Sequence, residues 1–315
     1  MRGIFIHIIF TVILLIVVPF IFFSNQTKED NIKIKIYNKG NIIEMDLEEY
    51  VKCVVASEMP AEFCEEALKA QAIAARTFAY KRIHDLDESH NGANVCADFR
   101  HCQAYNDKQD ILKKWGDDSK KYWEKISRVI DDTKDLVICF KGDLILPVFH
   151  SNSVGKTESS KEIWSHIDIP YLQSVDTISK EDGSTTNVEI TVDEFREKIL
   201  KEYPNVKFSS FGDISKVERN ESNRVRYLII SGVKIEGEKF RNIFSLKSTN
   251  FKIINVGDNK LNIEVLGNGH GVGLSQIGAN EMAKNGKTYQ EILKHYYNGV
   301  NIQVVKTAKN QCCLE

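Results

Sequence analysis

Residues Cys53–Arg76 read CVVASEMPAEFCEEALKAQAIAAR, and the break inside this stretch organises the rest of the chain. A helical pattern runs from Asp46 into Glu58 and must stop there. Pro60 has no N–H and disfavours helical backbone at Met59 before it. Asp46 is the expected N-cap, with Glu49 three residues on, and Leu47, Val51, Val54 and Val55 form an apolar face. A second helix is expected over Glu65–His84. Its alanines at 67, 70, 72, 74, 75 and 79 let another backbone come close, and Leu68, Ile73 and Phe78 are core candidates. A carboxylate at a helix break beside a small-residue helix suits a general acid or base. The same Glu58 also fits a solvated helix end. Gln71 and Arg76 are the polar residues within the alanine run, and a solvated face explains them equally well.

The composition is that of a globular chain of 315 residues, with 42% hydrophobic and 27% charged residues. A net charge of −2 provides no field for nucleic-acid binding. Ile4–Phe23 is apolar and uncharged, long enough for one membrane helix. Phe22-Phe23-Ser24 lacks a small-x-small exit, which favours an uncleaved anchor over a signal peptide. The expected organisation is an anchor over residues 1–24, a linker over 25–31, a domain over 32–305 outside the membrane, and a tail over 306–315. Arg2 points to a cytoplasmic N-terminus.

Outward from the helix pair, Ile32–Tyr37 alternates as a strand. Residues 85–106 are irregular and carry His90, Cys96, His101 and Cys102. Two thiolates and two imidazoles in so short a span suit a structural Zn²⁺ site that leaves no open position. A Cys96–Cys102 disulfide, or two thiols with incidental histidines, fits the spacing too. Cys53, Cys64 and Cys139 read as buried thiols. Ser119–Asp131 is an amphipathic helix. Leu136–Phe140 and Leu144–Phe149 read as a hairpin that delivers the polar loop His150-Ser151-Asn152-Ser153-Val154-Gly155-Lys156. Strands at 217–232, a hairpin at 251–266 and a helix at 191–203 follow. Gly267–Gln276 places glycine at alternate positions around His270, for close backbone approach. Helices after Ser275 and Thr288 complete an α+β chain of mixed helices and antiparallel hairpins.

Three of these segments, VVASEMP with EALKAQAIAART, HSNSVGKTE and GHGVGLSQIGA, together resemble the stage II sporulation protein D family from about Glu44 to Val304. Val154 departs from the pattern, where a second glycine is expected. The resemblance implies a membrane-anchored lytic transglycosylase that cuts peptide-free peptidoglycan strands during forespore engulfment. Glu58 matches the family's catalytic glutamate. Arg76, Lys156 and His270 fall within the family's motifs, and Gln71, His150, Ser151 and Gln276 join them as candidates for a substrate groove. Expected partners are a peptidoglycan amidase and a multispanning membrane protein of the same machinery. The related amidase enhancers leave open a non-catalytic glycan-binding role, and a hydrolase using water is a further alternative.

Overall fold

A computed structural model describes residues 32–85, 88–164, 167–179 and 184–305. The expected anchor, linker and tail lie outside the described residues. Among the described residues, no helix is long and apolar enough to cross a membrane.

Strand β1 (Lys33–Asn38) pairs with β2 (Asn41–Asp46) through a tight turn, and β2 runs straight into helix α1 (Leu47–Glu58). The Asp46 carboxylate accepts from the Glu48 N–H at 2.9 Å, which caps the helix as expected. The helix stops at Glu58, and Met59 turns to extended backbone, as Pro60 requires. Helix α2 (Glu65–His84) is 20 residues long. Its alanines are fully buried, and it is surrounded by other elements rather than carrying one wet face. The two-residue strand β3 (Val95–Cys96) adds parallel to β1. Helix α3 (Lys108–Trp115), unpredicted from the sequence, and helix α4 (Ser119–Asp132) follow.

The hairpin expected at 136–149 forms only in part. Strand β4 (Leu136–Phe140) pairs with β5 (Asp143–Leu144) for two residue pairs before Pro147 diverts the chain. The other edge of β4 is taken by a strand from the C-terminal end, Asn301–Val304. Phe149–His150 instead pairs in parallel with Leu274–Ser275. This register joins the two expected polar loops side by side.

Residues 185–266 build a separate core. Thr185–Thr191 pairs with the hairpin Phe251–Gly257/Lys260–Leu266, and a second three-stranded sheet runs through Ile214–Arg219, Val225–Ile230 and Val233–Glu236. Phe195, Phe240, Phe244 and Phe251 stack between them with ring centroids 4.5–5.9 Å apart. Helix α5 (Gln276–Lys284) and helix α6 (Tyr289–Tyr296) then return to α2. The α+β class agrees with the sequence reading. The two separate hydrophobic cores were not read from it.

Arg76 departs from the groove expectation. It is fully buried and forms a two-pronged ion pair with Glu48 at 2.6 and 2.7 Å, and its guanidinium also donates to the Leu136 and Ile130 carbonyls. Glu48 is at the opposite end of α1 from Glu58, about 15 Å away at 1.5 Å per residue. Arg76 therefore fastens α1, α2 and β4 together and does not line the site. Cys53 is a buried thiol as read, Cys64 is only half-buried, and Cys139 is buried but disulfide-bonded. Arg76→Met strands the Glu48 carboxylate and is expected to lower the unfolding free energy by about 3–5 kcal/mol in a denaturant titration. Restoration of most of that loss by adding Glu48→Met is the expected signature of the pair; an undiminished loss in the double variant argues against it.

Candidate active site

Glu58 ends α1 at the foot of a three-way junction. One carboxylate oxygen accepts the Ala104 N–H at 2.7 Å, and the other accepts the Gln276 side-chain amide at 3.2 Å. The first donor belongs to the loop after the Cys/His cluster. The second is the first residue of α5, which Ser275 caps by accepting the Gly278 N–H. Gln71, fully buried on α2, accepts from the same Gln276 amide at 3.5 Å, and its own amide nitrogen has no partner among the described residues. Beside Glu58, the Ser57 hydroxyl accepts from both the backbone and side-chain nitrogens of Asn106 at 3.1 Å. Burial holds the Glu58 carboxyl above its ordinary range, against the lowering effect of the Ala104 and Gln276 hydrogen bonds. The acid form persists to a higher pH than in a free glutamate, as a proton donor requires.

Glu58, Gln71 and Gln276 thus come together from three helices. Ser151 adjoins them, because its carbonyl accepts the Ile277 N–H at 3.0 Å. His150 and His270 serve another purpose. The His150 ring donates to the Val272 carbonyl at 3.1 Å and accepts from the Ser153 hydroxyl at 2.7 Å. The His270 ring accepts the Val272 N–H at 3.1 Å and donates to the Phe149 carbonyl at 3.0 Å. Burial keeps both rings neutral: His150 is pushed well below its usual value and His270 down to about 4. With both ring nitrogens engaged, each histidine laces one loop to the other and has no nitrogen left for a ligand. Lys156 is exposed, 4.0 Å from Asp176, and no hydrogen bond or ion pair links it to Glu58.

A buried arginine that the sequence reading missed holds these loops from the second core. The Arg224 guanidinium donates to Ser153 Oγ at 3.0 Å and to the Gly269 carbonyl at 3.3 Å. A Cβ on Gly271 would lie 2.5 Å from its Cζ, and one on Gly273 would lie 2.1 Å from the Val148 carbonyl. The alternate glycines are needed for this close approach. Glu158 fastens the same seam by accepting from Asn220 and Ser222. No motif in the sequence pointed to Arg224, and Ala104 contributes only backbone, which no side-chain pattern reveals.

The four Cys/His side chains converge. The ligand atoms of His90, Cys96, His101 and Cys102 lie within 4.8 Å of one another. His90 Nε2 is 2.9 Å from His101 Nδ1, Cys102 Sγ is 3.4 Å from His90 Nε2, and Cys96 Sγ is 3.7 Å from His101 Nδ1. The cluster is able to hold a metal ion. Cys96 and Cys102 are not bridged, so the disulfide alternative fails. Gln103 alone separates Cys102 from the Ala104 N–H that reaches Glu58, so the cluster anchors one side of the site.

The raised Glu58 pKa carries a sign for stability. A carboxyl whose folded-state value is raised contributes its stabilisation below the ordinary carboxylate range and loses it as pH rises through the folded value. Raising the pH from 4 to 8 is therefore expected to destabilise the wild type relative to Glu58→Gln, as read by paired thermal melts. Parallel pH profiles for the two proteins would contradict the burial of this charge.

The family profile described as SpoIID, stage II sporulation protein, matches residues 37–140. Stage II sporulation protein D of Bacillus amyloliquefaciens is 35% identical over 282 residues, covering 87% of this chain and 80% of its own length. The protein of the same name from Bacillus subtilis (strain 168) is 35% identical over 286 residues, covering 89% and 81%. The amidase enhancer of Bacillus subtilis (strain 168) is 27% identical over 304 residues, 80% of this chain and 40% of its own length. The chain belongs to the stage II sporulation protein D family.

Proposed function

We propose that this sporulation protein is a lytic transglycosylase that cuts the bond between N-acetylmuramic acid and N-acetylglucosamine in peptide-free peptidoglycan strands during engulfment. The supporting observation is a single half-buried carboxylate of raised pKa, held by two neutral donors. Among the described residues, no second carboxylate shares a hydrogen-bond partner with Glu58. Hydrolases working with two carboxylates use the second as nucleophile or base. A lytic transglycosylase manages with one. Protonated Glu58 gives its proton to the glycosidic oxygen as the C1–O bond breaks. The resulting carboxylate takes the proton of the muramyl C6 hydroxyl as O6 bonds to C1. The product is a 1,6-anhydro sugar, and Glu58 ends protonated, ready for the next cut. The Ala104 and Gln276 donors stabilise the carboxylate formed midway.

The Cys/His cluster is read as a structural zinc site. Bond lengths of about 2.0 Å to nitrogen and 2.3 Å to sulfur put tetrahedral ligand atoms about 3.3–3.8 Å apart, near the spacings found. His90, Cys96, His101 and Cys102 would hold the ion, which would clamp the loop that presents Ala104. One zinc per chain is expected by metal analysis, with Cys96→Ser losing it; a zinc-free wild type would end this reading. Ile4–Phe23 is proposed as the membrane anchor. A peptidoglycan amidase and a multispanning membrane protein are the proposed partners.

The similarity to an amidase enhancer supports a second reading, in which the site binds glycan without cutting it. Mass spectrometry of peptide-free strands incubated with the full-length chain separates the two. Anhydro-ended products that vanish in Glu58→Gln are the expected result. Reducing-end products would instead indicate a hydrolase, and bound but uncut strands would favour the enhancer role.

A further inference from the structure

A cluster of aromatic side chains outside the site described above lies along one flank of Glu58. Two features place it there. First, α3 begins where Asn106 is bonded to Ser57, with the Lys108 N–H against the Cys53 sulfur one turn earlier on α1. Second, α4 runs beside the loop that follows Glu58: the Lys125 ammonium donates to the Ala61 and Phe63 carbonyls, and the Tyr122 hydroxyl donates to Glu62 at 2.7 Å. Between α3 and α4, Trp115 meets Tyr122 edge-on at 5.6 Å and Trp123 at 6.4 Å. The Lys108 ammonium lies 4.5 Å above the Trp123 ring.

These aromatics are half-buried rather than sealed in the core. Neither indole N–H has a hydrogen-bond partner among the described residues. Lys108 is exposed and has no carboxylate at ion-pair distance among them. The 8 residues of α3 extend about 12 Å, so a strand lying over Glu58 and along this helix would reach the aromatics with sugars beyond the one being cut. Flat apolar rings with free N–H donors at their edge suit a pyranose ring and its hydroxyls. The free cation adds a selection. Removing a stem peptide hydrolyses the amide on the muramyl lactyl group and leaves a carboxylate there, which an intact strand lacks.

We propose that Trp115, Tyr122 and Trp123, with Lys108 across Trp123, form a distal saccharide subsite for a muramyl residue whose lactyl carboxylate is free. The proposal rests on the glycan reading of the preceding subsection and adds how the protein distinguishes stripped strands. The neighbouring acids do not cancel it. Glu62 is engaged by Tyr122, and Asp107 accepts the Tyr105 hydroxyl at 2.9 Å. Asp110 is two residues from Lys108, about 200° around the helix axis.

The test measures binding by the full-length chain carrying Glu58→Gln, so that strands are held and not cut. The probes are peptide-free oligosaccharides with free lactyl carboxylates and the same strands with those groups capped as methyl amides. Free-acid strands are expected to bind about three- to five-fold tighter. Lys108→Gln is expected to bring them down to the affinity of the capped strands. With Trp164→Phe added, the emission of the two remaining tryptophans is expected to shift on saturation with strand. Trp115→Leu is expected to weaken both probes. A preference that survives Lys108→Gln, or tryptophan emission unmoved by saturating strand, overturns the subsite. If the wild type still produces anhydro ends in that case, the transglycosylase reading stands alone. If neither probe binds and nothing is cut, both readings fall.

Discussion

Keeping one carboxyl group out of water is the constraint on which the rest depends. A half-buried glutamate is costly unless its oxygens find donors, and a helix end offers none on its own side. Pro60 puts that end where it is, and the alanines of α2 let α1 and α5 close around it. The two donors then come from the two remaining directions, one a loop amide and the other a side chain on a newly started helix. Each is neutral. A lysine or arginine in either place would pull the carboxyl toward its charged form and remove the acid.

The second core reaches this arrangement through Arg224. Its guanidinium fills the space left by Gly271 and bonds to Ser153, which bonds to His150; the His150 ring bonds to the Val272 carbonyl, and its backbone pairs with Ser275 at the start of α5. Glu162 and Arg226 form a two-pronged ion pair across the same seam. The motifs that look chemical in the sequence, with their histidines and serines, are here the fastening of a joint. Glu58 is the carboxylate that the joint encloses.

Much of this was legible in the sequence where local rules act alone. The Asp46 cap, the Pro60 stop and the extent of α2 follow from side chains next to one another in the chain. Glu58 was legible through the family resemblance, and Gln71 and Gln276 stood among several groove candidates. What could not be read depended on distance or on backbone. Leu144–Phe149 alternates like a strand, yet Pro147 ends its pairing with β4, and Phe149–His150 pairs with Leu274–Ser275 instead. Arg76 and His150 have the residue types of a binding groove, but burial and saturated partners give them structural tasks. The role of Ala104 is invisible because it is played by an N–H that every residue but proline carries.

The two donors to Glu58 lie 46 and 218 residues along the chain from it. The second is among the last elements to emerge during synthesis. Until α5 has folded back onto α2, the carboxyl lacks one of its two donors and is open to water on that side. The full set of partners around the carboxyl therefore exists only when nearly all of the chain has been made. The order in which the site is completed is set by the topology.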